Sequence, residues 1–338
     1  MSSLSRCMAQ KFAFTICSIN YLAQAKILAD SIRQTNPDYE FVIGLCDKIE
    51  GSRVDKSKLA GLNLLEVHRI GIDGFDEMTE RYDITELNTA VKPFYFNYFF
   101  NSRPDIERII YFDPDIEIFD RLTGIEEGLD THNIILTPHF YTPIFDKKTR
   151  TEQQMFVNGI YNLGFLAVKR SEETFKFLNW WMIKLRTECY MDIQNGMFVD
   201  QLYCNMVPLY YEGVKIDKYP GYNISYWNLH ERTLTFENGK YRANGVPLVF
   251  YHYSGINISD PVNISRWQDR FDLNNRPDLA ELFRNYRSKL KLNDNEYFKT
   301  IRCFYLKPVP PVPTKSLLKK VLTGVTFRIY HFFERLPV

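Results

Sequence analysis

The sequence predicts an α/β fold on a mainly parallel sheet, and three observations carry this. Residues 11–19 and 41–46 are short apolar runs with the length of buried strands. Between them Leu22, Ala25, Leu28, Ala29 and Ile32 recur at helical spacing, and the pattern stops at Asn36-Pro37-Asp38. Further strand-like and helix-like segments then follow to about residue 250. Strand, helix, strand at these lengths reads as a βαβ unit, which makes the strands parallel.

The elements follow in order. Residues 64–67 give a third strand. Residues 85–100 read as one helix rich in Phe and Tyr, opened by Asp83 or Thr85. Residues 108–112 form a buried strand that runs directly into Asp113-Pro114-Asp115, and residues 133–137 and 165–168 add two more. Residues 171–188 make a helix: Ser171 caps it, Glu172 and Glu173 load its first turn, and Phe175, Leu178, Trp181 and Leu185 share a face. Residues 234–242 predict a hairpin turning at Asn238-Gly239, and 246–252 another strand. Residues 277–290 and 293–304 read as helices, so the expected division is a main domain over 1–275 and a helical extension, 276–306, packed on it. Residues 307–314, Lys-Pro-Val-Pro-Pro-Val-Pro-Thr, form a stiff linker. Residues 315–338 form a basic amphipathic tail.

With 338 residues there is ample chain for a core, and 45% apolar against 25% charged residues is a globular balance. A net charge of +1 removes any global electrostatic case for nucleic acid, which is not expected as a partner. The 22 Tyr and 26 Phe fill a core or offer stacking platforms. Six cysteines, at 7, 17, 46, 189, 204 and 303, show no metal-knuckle or Cys-x-x-Cys spacing; Cys17 and Cys46 lie in apolar runs as packing residues. This suits a reducing, cytoplasmic setting. The N-terminal residues lack the apolar stretch of a signal peptide, and no run of ~18 apolar residues occurs. The sequons at Asn223, Asn257 and Asn263 are therefore read as chance matches.

Chemistry concentrates in a few places. Asp113 and Asp115, two residues apart after a strand, converge on one hard divalent cation if the backbone turns there; Mn²⁺ or Mg²⁺ suits oxygen ligands. The end of a parallel strand is also where open α/β sheets bind ligands. The plainer reading is a polar turn. His252, after an apolar strand, can complete a metal shell, and Gly255 lets backbone amides approach phosphate; a lone histidine is more often a satisfied core-edge residue. Lys92, between Val91 and Pro93, either binds a diphosphate, holds the first Asp in place or snorkels to solvent. Asn162 and Gln201 can bond sugar hydroxyls and Asp200 can orient them, or each is a turn residue.

Taken together in this order, the chain resembles retaining glycosyltransferases of the GT-A type, the glycogenin-like and lipopolysaccharide-galactosyltransferase-like group, over roughly residues 11–260. Thr15-Ile16-Cys17-Ser18-Ile19-Asn20-Tyr21, with Leu28-Ala29-Asp30-Ser31-Ile32, is similar to that group's opening strand and helix. The resemblance implies that Thr15, Ser18, Asn20 and Tyr21 hold the nucleotide. It implies that Lys92 and Gly255 approach the diphosphate, and that Asp113, Asp115 and His252 hold Mn²⁺ or Mg²⁺. Asn162-Leu163-Gly164-Phe165 and Asp200-Gln201, with Asn205, resemble its sugar-side segments and imply catalytic roles for Asn162, Asp200 and Gln201. The implied fold is the GT-A domain over 1–275, Rossmann-like, with the C-terminal helices as an extension. The implied reaction moves a sugar from a UDP-sugar donor to a glycan or lipid-linked glycan, with retention. One departure stands out: the group continues after the glycine with a lysine-bearing Lys-Pro-Trp-like element, and here the chain reads Ile256-Asn257-Ile258-Ser259-Asp260-Pro261. Diphosphate binding must differ in detail.

Two features address the acceptor side. The aromatic segment 219–227 either stacks on sugar faces or packs inward, and Thr137-Pro138-His139 can face an acceptor. In the tail, Lys315, Lys319, Lys320, Arg328 and Arg335 stand against Glu334 alone, among Leu and Phe. Such a helix suits an anionic membrane surface, placing the protein peripherally on the inner face of the cell membrane. The rival readings are a non-catalytic sugar-nucleotide or glycan-binding protein, a nucleotidyltransferase, whose Gly-rich basic loop is not seen, and a metal-dependent hydrolase.

Overall fold

The computed structural model describes residues 10–307. The chain divides into two units, residues 1–306 and 307–338, and the described residues give the first. The linker beyond residue 307 and the basic tail lie outside them.

The predicted α/β class is the observed one. Strand β1 (Gln10–Cys17), helix α1 (Leu22–Thr35) and strand β2 (Tyr39–Leu45) form the expected βαβ unit, with β1 and β2 parallel from Lys11↔Tyr39 to Cys17↔Leu45. α1 turns Leu22, Ala25, Ile27, Leu28 and Ile32 inward. β3 (Leu64–Glu66) extends this edge, and β4 (Ile106–Phe112) lies parallel on the other side of β1. Beyond β4 come β7 (Phe165–Lys169), β6 (Ile134–Leu136) and the strand Val214–Ile216, which complete a seven-stranded sheet. β7 runs antiparallel to both its neighbours and every other pairing in this sheet is parallel. Covered on both faces, β4 reads as continuous Ile-Ile-Tyr-Phe rather than as an alternating strand.

Three predicted elements differ. After a short helix α2 (Phe75–Arg81), residues 85–100 form two helices, α3 (Ile84–Ala90) and α4 (Lys92–Ser102), because Pro93 has no N–H to continue the ladder. α3 starts at a capping box in which Asp83 accepts from Glu86 N and Glu86 answers to Asp83 N. Residues 246–252 split into Val246–Pro247, which closes a small meander with the hairpin Leu234–Glu237/Lys240–Ala243, and Phe250–His252, which pairs elsewhere. Of residues 293–304 only Asn295–Lys299 is helical.

The core sits on both sides of the sheet. On one side the aromatic face of α4 meets β1 and β4, with Phe14 edge-on to Phe96 and Tyr111. On the other, α1 packs with the helix Ala280–Leu292 through Phe283 and Tyr286. Tyr286 stacks on Tyr253 at 3.6 Å between ring centres, so the extension braces the segment that follows His252.

Candidate metal centre and adjoining cleft

The backbone brings three donor side chains together at the end of β4. Asp113 N donates to the Gly164 carbonyl at 2.7 Å, and Ile116 N donates back to the Asp113 carbonyl at 3.1 Å. This closes a tight turn around Pro114 and sends the chain into β5 (Ile116–Ile118). β5 pairs antiparallel with Phe250–His252, placing Ile116 opposite His252, and Tyr253 N donates to the Asp115 carbonyl at 2.9 Å. His252 Nε2 thus lies 3.0 Å from Asp115 Oδ1 and 3.8 Å from Asp113 Oδ2. The three donor groups fall within 4.8 Å of one another.

Neighbouring groups aim them. The Tyr111 hydroxyl donates to Asp113 Oδ1 at 2.6 Å, leaving Oδ2 to face His252. His252 Nδ1 faces Asn223 Oδ1 at 3.3 Å; an N–H donated there leaves Nε2 as the ligand nitrogen, the outer contact that orients metal-binding histidines. Burial disfavours a charged His252, but Asp115 and then Asp113 outweigh it and raise its pKa above the usual histidine value. Gly164 is fixed by close approach: a Cβ there would stand 2.5 Å from His252 Cε1 and 2.8 Å from Asp113 Oδ2. Two carboxylates and one oriented imidazole fit a divalent cation.

Behind the centre lies a fully buried ion pair. Lys92 Nζ sits 2.5 Å from Asp200 Oδ2, donates to the Leu163 carbonyl at 2.9 Å, and lies 4.5 Å over the Tyr111 ring. Burial disfavours its charge, but Asp200 and Asp113 hold its pKa above the ordinary lysine value. Asp200 follows Val199, whose φ of +41° is strained for a β-branched residue. Gln201 is spent on the backbone: Nε2 donates to the Asn158 carbonyl at 2.6 Å, and Oε1 accepts from Leu163 N at 3.2 Å. Asn162 Oδ1 accepts from Gly164 N and Asn223 Nδ2, while its Nδ2 faces His139 Nε2 at 3.3 Å. Burial pushes His139 down to about 4, so it is neutral at pH 7. Asn205 accepts from Ile160 N at 2.8 Å.

In front of the centre opens a cleft of about 340 Å³, lined by Ser18, Asn20, Tyr21, Asn88, Asp113 and Asp115 among others. Tyr21 is 41% exposed, whereas Thr15 is enclosed within β1. Ser18 accepts from Asn88 Nδ2 at 2.9 Å. Gly255, at φ +70°, packs so closely on Trp267 that a side chain would not fit, and its carbonyl accepts from Arg266 N at 3.0 Å.

The aromatic segment 219–227 resolves toward packing at Tyr222, Tyr226 and Trp227, all buried. Trp227 stands edge-on to both His252 and His139, at 5.1 and 5.2 Å between ring centres. His139 is likewise buried and bonded to Asn162. The sequon residue Asn223 is wholly buried. Sequence reasoning missed Asn223 and Tyr111 as orienting groups. The one available signal for Asn223 was its place in a Gly-Tyr-Asn turn; it occupies φ +49°, where Asn is the tolerated non-glycine residue.

No family model matches the chain. It is 29% identical over 246 residues to the uncharacterized protein YfnF of Bacillus subtilis (strain 168), covering 72% of this chain and 81% of that one. Among solved structures it is similar to the bifunctional glycosyltransferase WbbM in its apo form, with TM-score 0.50 and 15% identity, over 87% of this chain and 53% of that one. The galactosyltransferase LgtC, in complex with donor and acceptor sugar analogs, aligns at TM-score 0.47 and 16% identity, over 88% of this chain and 97% of that one. The fold is that of GT-A glycosyltransferases: a mixed α/β domain with a mainly parallel central sheet flanked by helices.

Proposed function

We propose that the chain is a metal-dependent glycosyltransferase that moves a sugar from a nucleotide diphosphate donor, a UDP-sugar, to a glycan or lipid-linked glycan with retention of configuration. The observation that carries this reading is the Asp113–Asp115–His252 set at the end of a parallel strand, opening on a cleft of nucleotide dimensions. Bound there, Mn²⁺ or Mg²⁺ would neutralise the diphosphate leaving group.

The chain's own residues supply the rest. Ser18, Asn20 and Tyr21 hold the base and ribose along the cleft, and Thr15 supports them from within β1. Asn162, Asp200 and Gln201 form the floor on the sugar side, preorganised by the bonds that already hold them. Lys92 is committed to Asp200 and Leu163, so it acts as a positioning cation under the diphosphate rather than as a mobile ligand. Gly255 keeps the backbone close, and Arg266, exposed and pinned to Gly255, is the cation this chain offers in place of the absent lysine. Asp200, the sugar-side carboxylate, is neutralised by Lys92 and makes a poor nucleophile. This supports a front-face transfer as the route we propose. The bond from the anomeric carbon to phosphate oxygen breaks, the bond to the acceptor oxygen forms on the same side, and the acceptor proton passes to the departing phosphate. The protein works in the cytoplasm, with the tail over 315–338 on the inner membrane face.

Calorimetric titration with uridine, guanosine, cytidine and thymidine diphosphates tests this, with Mn²⁺ and with chelator. The expected result is that UDP binds only with metal and that Asp115→Ala abolishes binding. Equal binding with chelator would refute the metal centre. UDP released from donor at the same rate without acceptor would mark a hydrolase.

A further inference from the structure

The loop over residues 139–151 passes beside the metal centre and is strapped down from two sides. Thr142 N donates to Glu231 at 2.7 Å, and Arg232 lies 4.4 Å over the Tyr141 ring. From the other side Arg270 holds Asp146 in a two-pronged ion pair and donates to the carbonyls of Lys148 and Arg150, at 2.7 and 2.9 Å. This fixes Arg150 by its backbone.

Its side chain has no acid to answer it among the described residues. The nearby carboxylates are spent: Asp146 on Arg270, Asp269 on Thr149 N, Glu152 on Ile144 N, and Glu231 on Arg232. The guanidinium charge acts on the Tyr226 hydroxyl, opposing the upward push of burial on its pKa, while Nε is buried with no partner. Tyr226 in turn packs edge-on to Trp227 at 5.0 Å, and Trp227 packs on His252 and His139. The Trp227 indole N–H is also buried without an acceptor, although Trp227 is 98% enclosed. A half-buried, always-charged guanidinium with no acid to pair it and its own Nε unsatisfied is costly unless an anion completes it. None of these residues lines the nucleotide cleft.

We propose that the Arg150 guanidinium forms an anion subsite beside the metal centre that reads a carboxylate or phosphate carried by one of the two sugars. This rests on the glycosyl-transfer reading. The anion comes either from the transferred sugar, as in a uronic acid donor, or from an acidic acceptor, and the two share one recognition chemistry: a planar, bidentate guanidinium contact.

The test uses the full-length chain and Arg150→Gln, with Arg150→Lys as the control for folding and charge. In the donor arm, UDP-glucuronate is compared with UDP-glucose by calorimetry in Mn²⁺, with UDP as reference. In the acceptor arm, glucuronate and glucose 6-phosphate are compared with glucose by saturation-transfer NMR, with and without UDP and Mn²⁺. The expected result is a preference of ten-fold or more for the charged sugar in one arm, lost in Arg150→Gln and partly kept in Arg150→Lys. UDP affinity should change less than two-fold. The donor arm marks the transferred sugar as the source, and the acceptor arm marks the acceptor. Equal binding of charged and neutral sugars by the wild-type chain in both arms overturns the subsite. So does a preference that survives Arg150→Gln, or a matching loss of UDP affinity in that variant, which would make Arg150 a diphosphate ligand. Failure of UDP to bind with Mn²⁺ overturns instead the nucleotide-sugar reading, and the nucleotide-free acceptor arm still decides the subsite.

Discussion

The two sides of the metal centre are built differently. On the cleft side Tyr21 stands 41% exposed, and neither its hydroxyl nor the Asn20 amide is engaged among the described residues, although Ser18 and Asn88 bond each other. On the sugar side Lys92, Asp200, Gln201, Asn162, Asn223 and His139 are all buried, and their polar atoms are largely spent on one another and on the backbone. The open side has little to lose and much to gain from a ligand. The closed side is paid for in folding and is rigid before any ligand arrives. Substitutions behind the centre should therefore cost stability, and substitutions in the cleft should cost binding alone.

The sharpest break in this contrast is Lys92→Ala. It strands the Asp200 carboxylate in the interior, and losing one partner of a buried pair costs about 3–5 kcal/mol. Urea unfolding should show this as a lower midpoint at unchanged slope. Asp200→Asn in the same chain should recover part of the loss, because no unpaired charge remains.

Acid should act on the same side. His139 titrates near 4 in the fold against an ordinary value near 6.5, so the unfolded chain binds the extra proton between those values. Stability is then full above about pH 6.5 and falls as pH drops toward 4, by roughly 3 kcal/mol from this residue at most. His139→Gln should flatten the pH dependence of the unfolding free energy over that window; an unchanged slope would show that His139 is not held neutral.

Asn223→Gly keeps the left-handed backbone but removes the amide that faces His252, Asn162 and Thr137. Loss of such an outer contact typically weakens metal binding ~10–100-fold. Metal titration of UDP binding should shift by that factor, with a smaller loss of stability than in Lys92→Ala. The smallest effect belongs to Tyr21→Ala. UDP affinity should fall by about 1 kcal/mol, the worth of one stacked ring, while the unfolding midpoint stays put. A large stability loss there would erase the contrast between the two sides.

The sequence was legible where a local pattern decides the structure. The ends of β1, α1 and β2 were read to within two residues, because apolar periodicity and Asn36-Pro37 mark them locally. Pro93 was a visible signal for the break between α3 and α4 and was underweighted. The antiparallel direction of β7 could not be read, since a strand buried on both faces carries the same apolar run in either direction. The convergence of Asp113 and Asp115 was legible from their spacing, but the nearness of His252, far away in sequence, followed only from resemblance. Physically it comes from the pairing of β5 with Phe250–His252. Asn223 was illegible because its role arises from a left-handed turn and three tertiary contacts, none of which its neighbours in sequence encode. The segment 219–227 was ambiguous for a related reason. Aromatic composition is the same for a sugar platform and a core wall, and only burial separates them.

The most direct test of the central claim is a crystal of the protein grown with UDP and Mn²⁺, measured for manganese anomalous scattering. The account predicts one anomalous peak among Asp113, Asp115 and His252, bridged to the diphosphate and missing from Asp115→Ala. A peak elsewhere, or UDP bound in the cleft with no manganese at these three residues, would contradict it.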